Sequence, residues 1–336
     1  MHVEFSRVNL ALILMLGLQS LVAASDSEVI EDVLGSLDWM DDLSHYDVEV
    51  KIRQSGESSI HFFEKIAIYD EIWDGESKEF AIGAASGQQQ LITEPPSQRD
   101  LSQQWISYGN KQGAKREVLN SNFAISNIIC RPSKYGCRDA ARGMALNASI
   151  MHFVLPSSDG PAAELQSLLN LLSTLELHEE TVEVKQNDEK RKLKKVRMTA
   201  RLRDANEPNK HYMLAYLITI SKDGHDANRV LSIQKGMLKP GAKQYRSSND
   251  IYPFERSVSI KWEEFDNSAG KKVTLPVSVM KRFSDDPHDR KRDTMIEKIT
   301  FDWRRVNSKK HIADVKLNVA NRVLSNRKKI ESMLNR

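Results

Sequence analysis

Tyr212 to Ile220 reads YMLAYLITI, apolar at every second position on both of its faces. A strand of that kind is covered on both sides, so it belongs inside a sheet. Downstream, Asp223-Gly224 is a turn signal leading into Val230-Leu231-Ser232-Ile233. Val258, Ile260 and Trp262 then alternate with polar residues, as do Val273, Leu275, Val277 and Val279. Met295, Ile299, Phe301 and Trp303 share one face of a last strand. Pro276 has no N–H to give to a ladder, so its strand is an edge or carries a bulge. Upstream, Val182 and Val184, and then Val196, Met198, Ala200 and Leu202, keep the period of two.

The same period governs an earlier group: Val48, Val50 and Ile52, then Ile60 to Phe63, Ile66 to Tyr69, Phe80 to Ile82, and Trp105-Ile106. Ser55-Gly56, Asp74-Gly75 and Gly83 fall between these runs as turn residues, the pattern of an antiparallel meander. Four segments switch to a helical period. Ser27 to Leu43 places Val29, Ile30, Val33, Leu34, Leu37 and Met40 on one side. Asp139 caps a stretch to Phe153, and Pro161 opens another whose stripe is Leu165, Leu168, Leu169, Leu172 and Leu175. Ile312 to Leu334 closes the chain with Val315, Val319, Val323, Ile330 and Leu334 aligned.

The expected fold class is therefore α+β: a strongly curved antiparallel β-sheet, an open half-barrel of about 10–12 strands, with helices packed on one face. The expected organisation is a signal peptide over 1–24 and a sheet domain over 25–306 with a helical insertion near 139–176. A basic C-terminal helix over 307–336 completes it.

The chain has 336 residues, 40% hydrophobic and 28% charged, too apolar for a disordered polymer. Its net charge of +3 conceals two halves of opposite sign. Ser25 to Glu176 holds 12 Lys and Arg against 23 Asp and Glu, whereas Leu177 to Arg336 holds 36 against 22. Past the first two dozen residues no apolar run approaches the roughly 18 needed to span a bilayer, which excludes multi-pass helical architecture.

The first residues carry Arg7, the apolar run Val8 to Leu18, and small residues ending at Ala23-Ala24. That order of charge, grease and small side chains is a secretory signal cleaved between Ala24 and Ser25. Export to a periplasm or extracellular space is the expected localisation, with a soluble mature protein. An oxidising compartment makes Cys130 and Cys137 disulfide partners, with Pro132 and Gly136 to turn the chain between them. Closing so short a loop contributes roughly 2–2.5 kcal/mol.

Motifs of chemistry are sparse. The sequence has no Gly-x-Ser-x-Gly elbow, His-Glu-x-x-His helix, phosphate loop or dinucleotide fingerprint. Asp285-Asp286-Pro287-His288-Asp289 and Asp223-Gly224-His225-Asp226 gather potential metal ligands, but both read as solvated hairpin loops. The reading is non-catalytic: no catalytic residue, no metal and no cofactor is assigned. Basic runs lie at Lys190 to Arg197, Arg304-Arg305, Lys309-Lys310 and Arg327 to Lys329. Export takes them away from nucleic acid. They suit an anionic envelope surface, or serve as edge lysines that block strand-to-strand association.

Three C-terminal runs, Ser257 to Trp262, Lys272 to Val277 and Ile299 to Asn307, resemble the closing strands of many exported bacterial proteins. Those in turn resemble the lipoprotein-carrier superfamily of open, apolar-lined half-barrels plugged by helices. The resemblance implies binding of an acyl chain or another lipid-like ligand rather than chemistry. Tyr212, Tyr216, Trp262, Phe301 and Trp303 are the candidate ligand-binding residues lining the hollow. The alternative is an envelope interaction protein that binds partners or anionic polymer through its basic half. Ligand identity and oligomeric state stay open at this level.

Overall fold

The computed structural model describes residue 33 and residues 43–57, 62–91, 98–101, 104–110, 113–119, 126–128, 175–186, 189–203, 211–252, 254, 256–266, 270–284, 295–308 and 314–334. Fourteen strands form one antiparallel sheet. They are β1 His45–Glu57, β2 Phe62–Asp74, β3 Glu79–Leu91, β4 Gln98–Leu101, β5 Gln104–Gly109, β6 Ala114–Leu119 and β7 Ser126–Ile128. The second seven are β8 Leu175–Gln186, β9 Glu189–Arg203, β10 His211–Ser221, β11 Val230–Met237, β12 Arg256–Asp266, β13 Lys272–Phe283 and β14 Met295–Val306. Helix α1, Val315–Leu334, follows the last strand.

The spatial order is β7-β6-β5-β3-β2-β1-β14-β13-β12-β11-β10-β9-β8, with β4 attached to β3. Neighbours in sequence are neighbours in space except where β14 returns to β1, which joins the two seven-strand groups. Among the described residues the two ends, β7 and β8, do not pair with each other, and the sheet is open there. A twisted sheet of this width curls.

This corrects the α+β expectation. Among the described residues the chain is predominantly one β-sheet, of fourteen strands rather than 10–12. Its one complete helix packs behind the sheet, not in the hollow. The reason is that the strands outrun their apolar runs. The Gln88-Gln89-Gln90 triplet completes β3, and the Glu- and Lys-rich segments of β8 and β9 extend a twelve-residue ladder. Main-chain pairing carries a strand through polar residues wherever a neighbour continues beside it.

Smaller corrections follow the same logic. Ser55-Gly56 is not a turn but the end of β1, paired with Glu64-Phe63 and Ile296-Met295. Leu175, the last member of the leucine stripe, opens strand β8 instead. Gly83 lies inside β3 because α1 crosses it there: a methyl at this position would stand 2.8 Å from Val319 Cγ1 and still nearer Val323. Pro276 is interior, opposite the bulge at Lys261/Trp262, so the bulge reading holds and the edge reading does not. Val33 is helical and buried, and Leu43, the last residue of that expected helix, is buried but not helical; residues 27–32 and 34–42, and most of the helices over 139–153 and 161–176, lie outside the described residues.

Two apolar layers flank the sheet. On the inner face one buried cluster runs from Ala114 on β6 to Val196 and Met198 on β9. On the outer face Ile66, Ile68, Ile72, Ala81, Ala85 and Ile106 pack under Val315, Val319, Val323, Ile330 and Leu334 of α1. A second outer cover, the segment between β11 and β12, sets Leu238, Tyr245 and Ile251 against Ala215. Strand β10 is thus buried on both faces, as YMLAYLITI requires: Tyr216 and Ile218 face inward while Ala215 meets this cover.

Candidate functional site

The inner face is apolar because the alternation of eleven strands points one way. Val48, Val50 and Ile52 on β1 stand opposite Trp303, Phe301 and Ile299 on β14. Phe301 and Trp303 are stacked, with ring centroids 6.1 Å apart and planes 8° from parallel, and Tyr46 meets Trp303 edge-on at 6.0 Å. Each indole N–H is satisfied by main chain: Trp303 Nε1 donates to the Pro276 carbonyl at 2.8 Å, and Trp262 Nε1 to the Val230 carbonyl at 2.7 Å.

Of the five sequence candidates, four share this cluster. Tyr216, Trp262, Phe301 and Trp303 are 4%, 2%, 7% and 9% exposed, so they are packed side chains, not a bare wall. Tyr212 is paired with Leu202 in β10; its side chain lies outside the described residues. Cys130, Cys137, Ala24, Ser25 and the Asp285–Asp289 cluster also lie outside them.

Polar groups interrupt the grease at a few points. Buried Glu71, opposite Val48, accepts from the Tyr46 hydroxyl. Burial pushes the Tyr69 hydroxyl well above the usual phenol range, Glu297 adds to the push, and Arg116 opposes it. The Arg116 guanidinium rests 4.2 Å from the Trp105 ring centroid, and burial lowers its pKa.

A cavity of about 730 Å³ lies between the β8–β9 end, the β10–β11 turn and the middle of β11 and β12. Leu231, Ile260 and Trp262 form its apolar wall; Lys190, Arg191, Asp223, His225 and Asp226 form its polar side. A cavity of this size, with Lys261 also in its lining, is as polar as it is apolar, and its fixed charged groups are more numerous than those of a purely apolar pocket. The turn is held rigidly. Gly224 takes φ +81°, and Arg191 donates to Asp226 and, at 2.8 Å, to Ser221 Oγ. Asp223 Oδ2 accepts from the Lys192 amide at 2.9 Å. His225 Nε2 is 3.1 Å from the Trp262 carbonyl, so that nitrogen carries the proton. Thr274 Oγ1 donates to the His225 carbonyl at 2.8 Å.

The sequence reading treated Asp223–Asp226 as a solvated loop; the structure makes it one wall of the cavity. Among the described residues no group of His, Cys, Asp and Glu is placed to hold a metal ion. Trp262 is the candidate that reaches the cavity. In sequence Leu231 and Ile260 read only as strand residues, Arg191 only as part of a basic run and His225 only as part of a solvated loop; no motif brings the four together. The register of the β8–β9 ladder sets Lys185 opposite Lys190.

The basic C-terminal half is partly spent inside the fold. Arg304 donates to Asp70 at 2.7 Å and to Glu49, Arg322 makes a two-point pair with Asp47 at 2.6 and 2.9 Å, and Lys329 lies 3.5 Å from Glu49.

No protein-family model matches the sequence, and no curated protein matches it. Among solved structures the chain is similar to a DUF1329 family protein from Desulfovibrio piger, at 9% identity and a TM-score of 0.35, over 87% of this chain and 98% of that one. It is also similar to a porin-like protein from Bacteroides uniformis, at 5% identity and a TM-score of 0.24, over 76% and 96%. Likenesses this weak bear on neither the activity nor the ligand of this chain.

Proposed function

We propose that the chain is an exported, non-catalytic carrier or receptor for an apolar, lipid-like ligand held against the inner face of its curled sheet. The observation that supports this most is the continuity between the buried inner cluster and the 730 Å³ cavity through Trp262 and Ile260, which belong to both. A ligand entering there replaces water over half-buried Leu231, packs beside Ile260 and Trp262, and gains on the order of 25 cal/mol for each Å² of apolar surface covered. The secretory pattern at Met1 to Ala24 supports export, where a water-insoluble molecule needs a soluble escort. The resemblance to lipoprotein carriers points to the same use of a half-barrel.

The test is extraction of the purified protein with organic solvent and mass spectrometry of the extract. A titration with the neutral apolar fluorophore N-phenyl-1-naphthylamine accompanies it. Expected are a co-purified lipid and saturable fluorescence enhancement that Leu231→Asp, which places a charge on the apolar wall, weakens at least tenfold. An empty extract together with no saturable enhancement would overturn the reading.

A further inference from the structure

Helix α1 has a side that the fold does not use. Val315, Val319, Val323, Asn326, Ile330 and Leu334 are buried against the sheet. On the opposite side Leu317 and Leu324 are 54% and 38% exposed, and among the described residues they alone of the large apolar side chains stand in solvent. Positions seven and eleven residues apart on a helix fall within about 20° of each other. Leu317, Leu324 and Lys328 therefore form one outward line, its two leucines about 10 Å apart along the axis. A single exposed leucine is ordinary. Two on one line of one helix, with no other described one elsewhere, mark a face.

Exposed cations flank the C-terminal part of this line. Lys328 lies on it and is exposed. The side chains of Arg327 and Lys329 beside it are 48% and 51% exposed. Lys51 on β1 meets Lys329 at Glu49 and also reaches solvent. The acids that hold this end of the helix, Asp47, Glu49 and Asp70, are buried between it and the sheet. The acids that face outward are Glu331, 3.1 Å from Arg327, and Asp302 on β14. An exposed helical pair four residues apart is weak, so Arg327 can exchange Glu331 for a more strongly held anion. The outward side of α1 is thus apolar along its centre and basic at its C-terminal end.

We infer that this side of α1 docks on an anionic lipid bilayer, the helix lying in the plane of the surface. Leu317 and Leu324 enter among the upper acyl carbons, and Lys328, Arg327, Lys329 and Lys51 lie over the head-group phosphates. Apolar insertion and attraction to anionic lipid act together on a helix so built. The long basic side chains bury their stems beside the leucines and keep their charges at head-group level. A second copy of the chain laid on the same side would set Lys328 and Arg327 against their own kind, which favours lipid over self-association. The docking side is at the back of the sheet, so the inference goes beyond the carrier reading and stands or falls apart from it. Salt screens the contribution of the cations and spares that of the leucines, which makes the two separable.

The experiment is co-sedimentation of the whole chain with vesicles of phosphatidylcholine alone and of phosphatidylcholine mixed with phosphatidylglycerol. Variants in the same chain control for lipid affinity contributed elsewhere, the apolar run Val8 to Leu18 included. Binding to the mixed vesicles should be about tenfold tighter, a preference that shrinks between about 20 and 500 mM salt. Leu317→Ser with Leu324→Ser should weaken mixed-vesicle binding about tenfold at either salt concentration. Lys328→Glu should remove most of the preference and leave phosphatidylcholine binding within about twofold. Both variants should keep the parent's urea midpoint, since the three side chains are exposed. Equal binding to the two vesicles, or mixed-vesicle binding that the leucine pair leaves intact, would overturn the inference. So would a dimer in sedimentation velocity that the leucine substitutions disperse, which assigns the face to a second copy. Heparin binding lost in Lys328→Glu, with no vesicle binding, would overturn it in favour of an acidic polymer.

Discussion

Asn326, in the middle of α1, donates through Nδ2 to the buried carboxylate of Asp70 on β2 at 2.6 Å. Asp70 Oδ1 accepts from Arg304 of β14 at 2.7 Å, so one fully buried acid ties the helix to both halves of the sheet. Around it Glu49 is held below the usual carboxylate range: burial opposes this, but Lys51, Arg304 and Lys329 outweigh it. Asp70 goes the other way, because burial raises its pKa more than Arg304 lowers it. A carboxylate with a raised folded pKa favours the folded state most when protonated, and that contribution fades as pH rises through the folded value.

Two substitutions at Asp70 should therefore part company at neutral pH. Asp70→Asn keeps an acceptor for Arg304 and turns its amide N–H toward Asn326, whose amide can flip to present its otherwise unpartnered Oδ1, without the cost of a buried charge, and urea midpoints should move by less than about 1 kcal/mol in equivalent stability. Asp70→Leu leaves Asn326 and one arm of Arg304 unpaired. It should cost about 3 kcal/mol, the lower end of the range for breaking a buried pair, because Arg304 keeps Glu49. Equal losses for the two variants would contradict the ordering.

Gly83 is the socket into which α1 fits. Gly83→Ala pushes a methyl against Val319 and Val323, which also form the helix's buried stripe. Overpacking of this kind costs about 1–3 kcal/mol. Limited proteolysis should cut the C-terminal segment faster in the variant, and Val323→Ala in the same chain should restore part of the protection. No change in cleavage would mean that the helix is not seated on Gly83.

How far the sequence announced this architecture depends on what each residue faces. The inner face was legible because Val48, Val50, Ile299, Phe301 and Trp303 alternate cleanly, and one periodic pattern suffices for a face buried on one side. Residues with a partner across the sheet were not legible. Gly83 resembles a turn until Val319 and Val323 stand over it, and Asp47, Glu49 and Asp70 resemble solvent-facing acids until Arg304 and Arg322 arrive from some 230 to 275 residues away. The cavity failed for the same reason. Its wall draws on β11 and β12 and its polar side on two other strand ends, and no local spacing encodes that meeting.

Trp303→Phe isolates one hydrogen bond. The phenyl ring can keep the stack on Phe301, but the Pro276 carbonyl loses its indole donor in a buried setting. An orphaned buried acceptor costs about 1–3 kcal/mol. Chemical denaturation should show that loss with an unchanged denaturant slope. Phe301→Leu, which removes the stacking partner and no hydrogen bond, should cost less than its truncation to Ala. If Trp303→Phe is neutral, the bond to Pro276 contributes nothing that water does not replace.

The start of α1 should respond to acid through one carboxylate. Glu117 on β6 accepts from the Tyr108 hydroxyl at 2.5 Å and from Lys316 at 3.0 Å, and Lys316 lies 4.1 Å above the Tyr108 ring. The Tyr108 bond, aided by Lys316 against a smaller effect of burial, lowers the Glu117 pKa below its ordinary 4.5. A depressed folded pKa gives stability that is complete above that ordinary value and is lost as pH falls through the folded one. Lys316 is 42% exposed, so the contribution stays under about 1 kcal/mol and the effect is local. Amide exchange over the first turns of α1, from Val315, should accelerate below pH 4 relative to the Val323–Ile330 turns. Glu117→Gln should show the faster exchange already at pH 6 and no further acid step in that region. An acid step that survives the substitution would assign the response to another group.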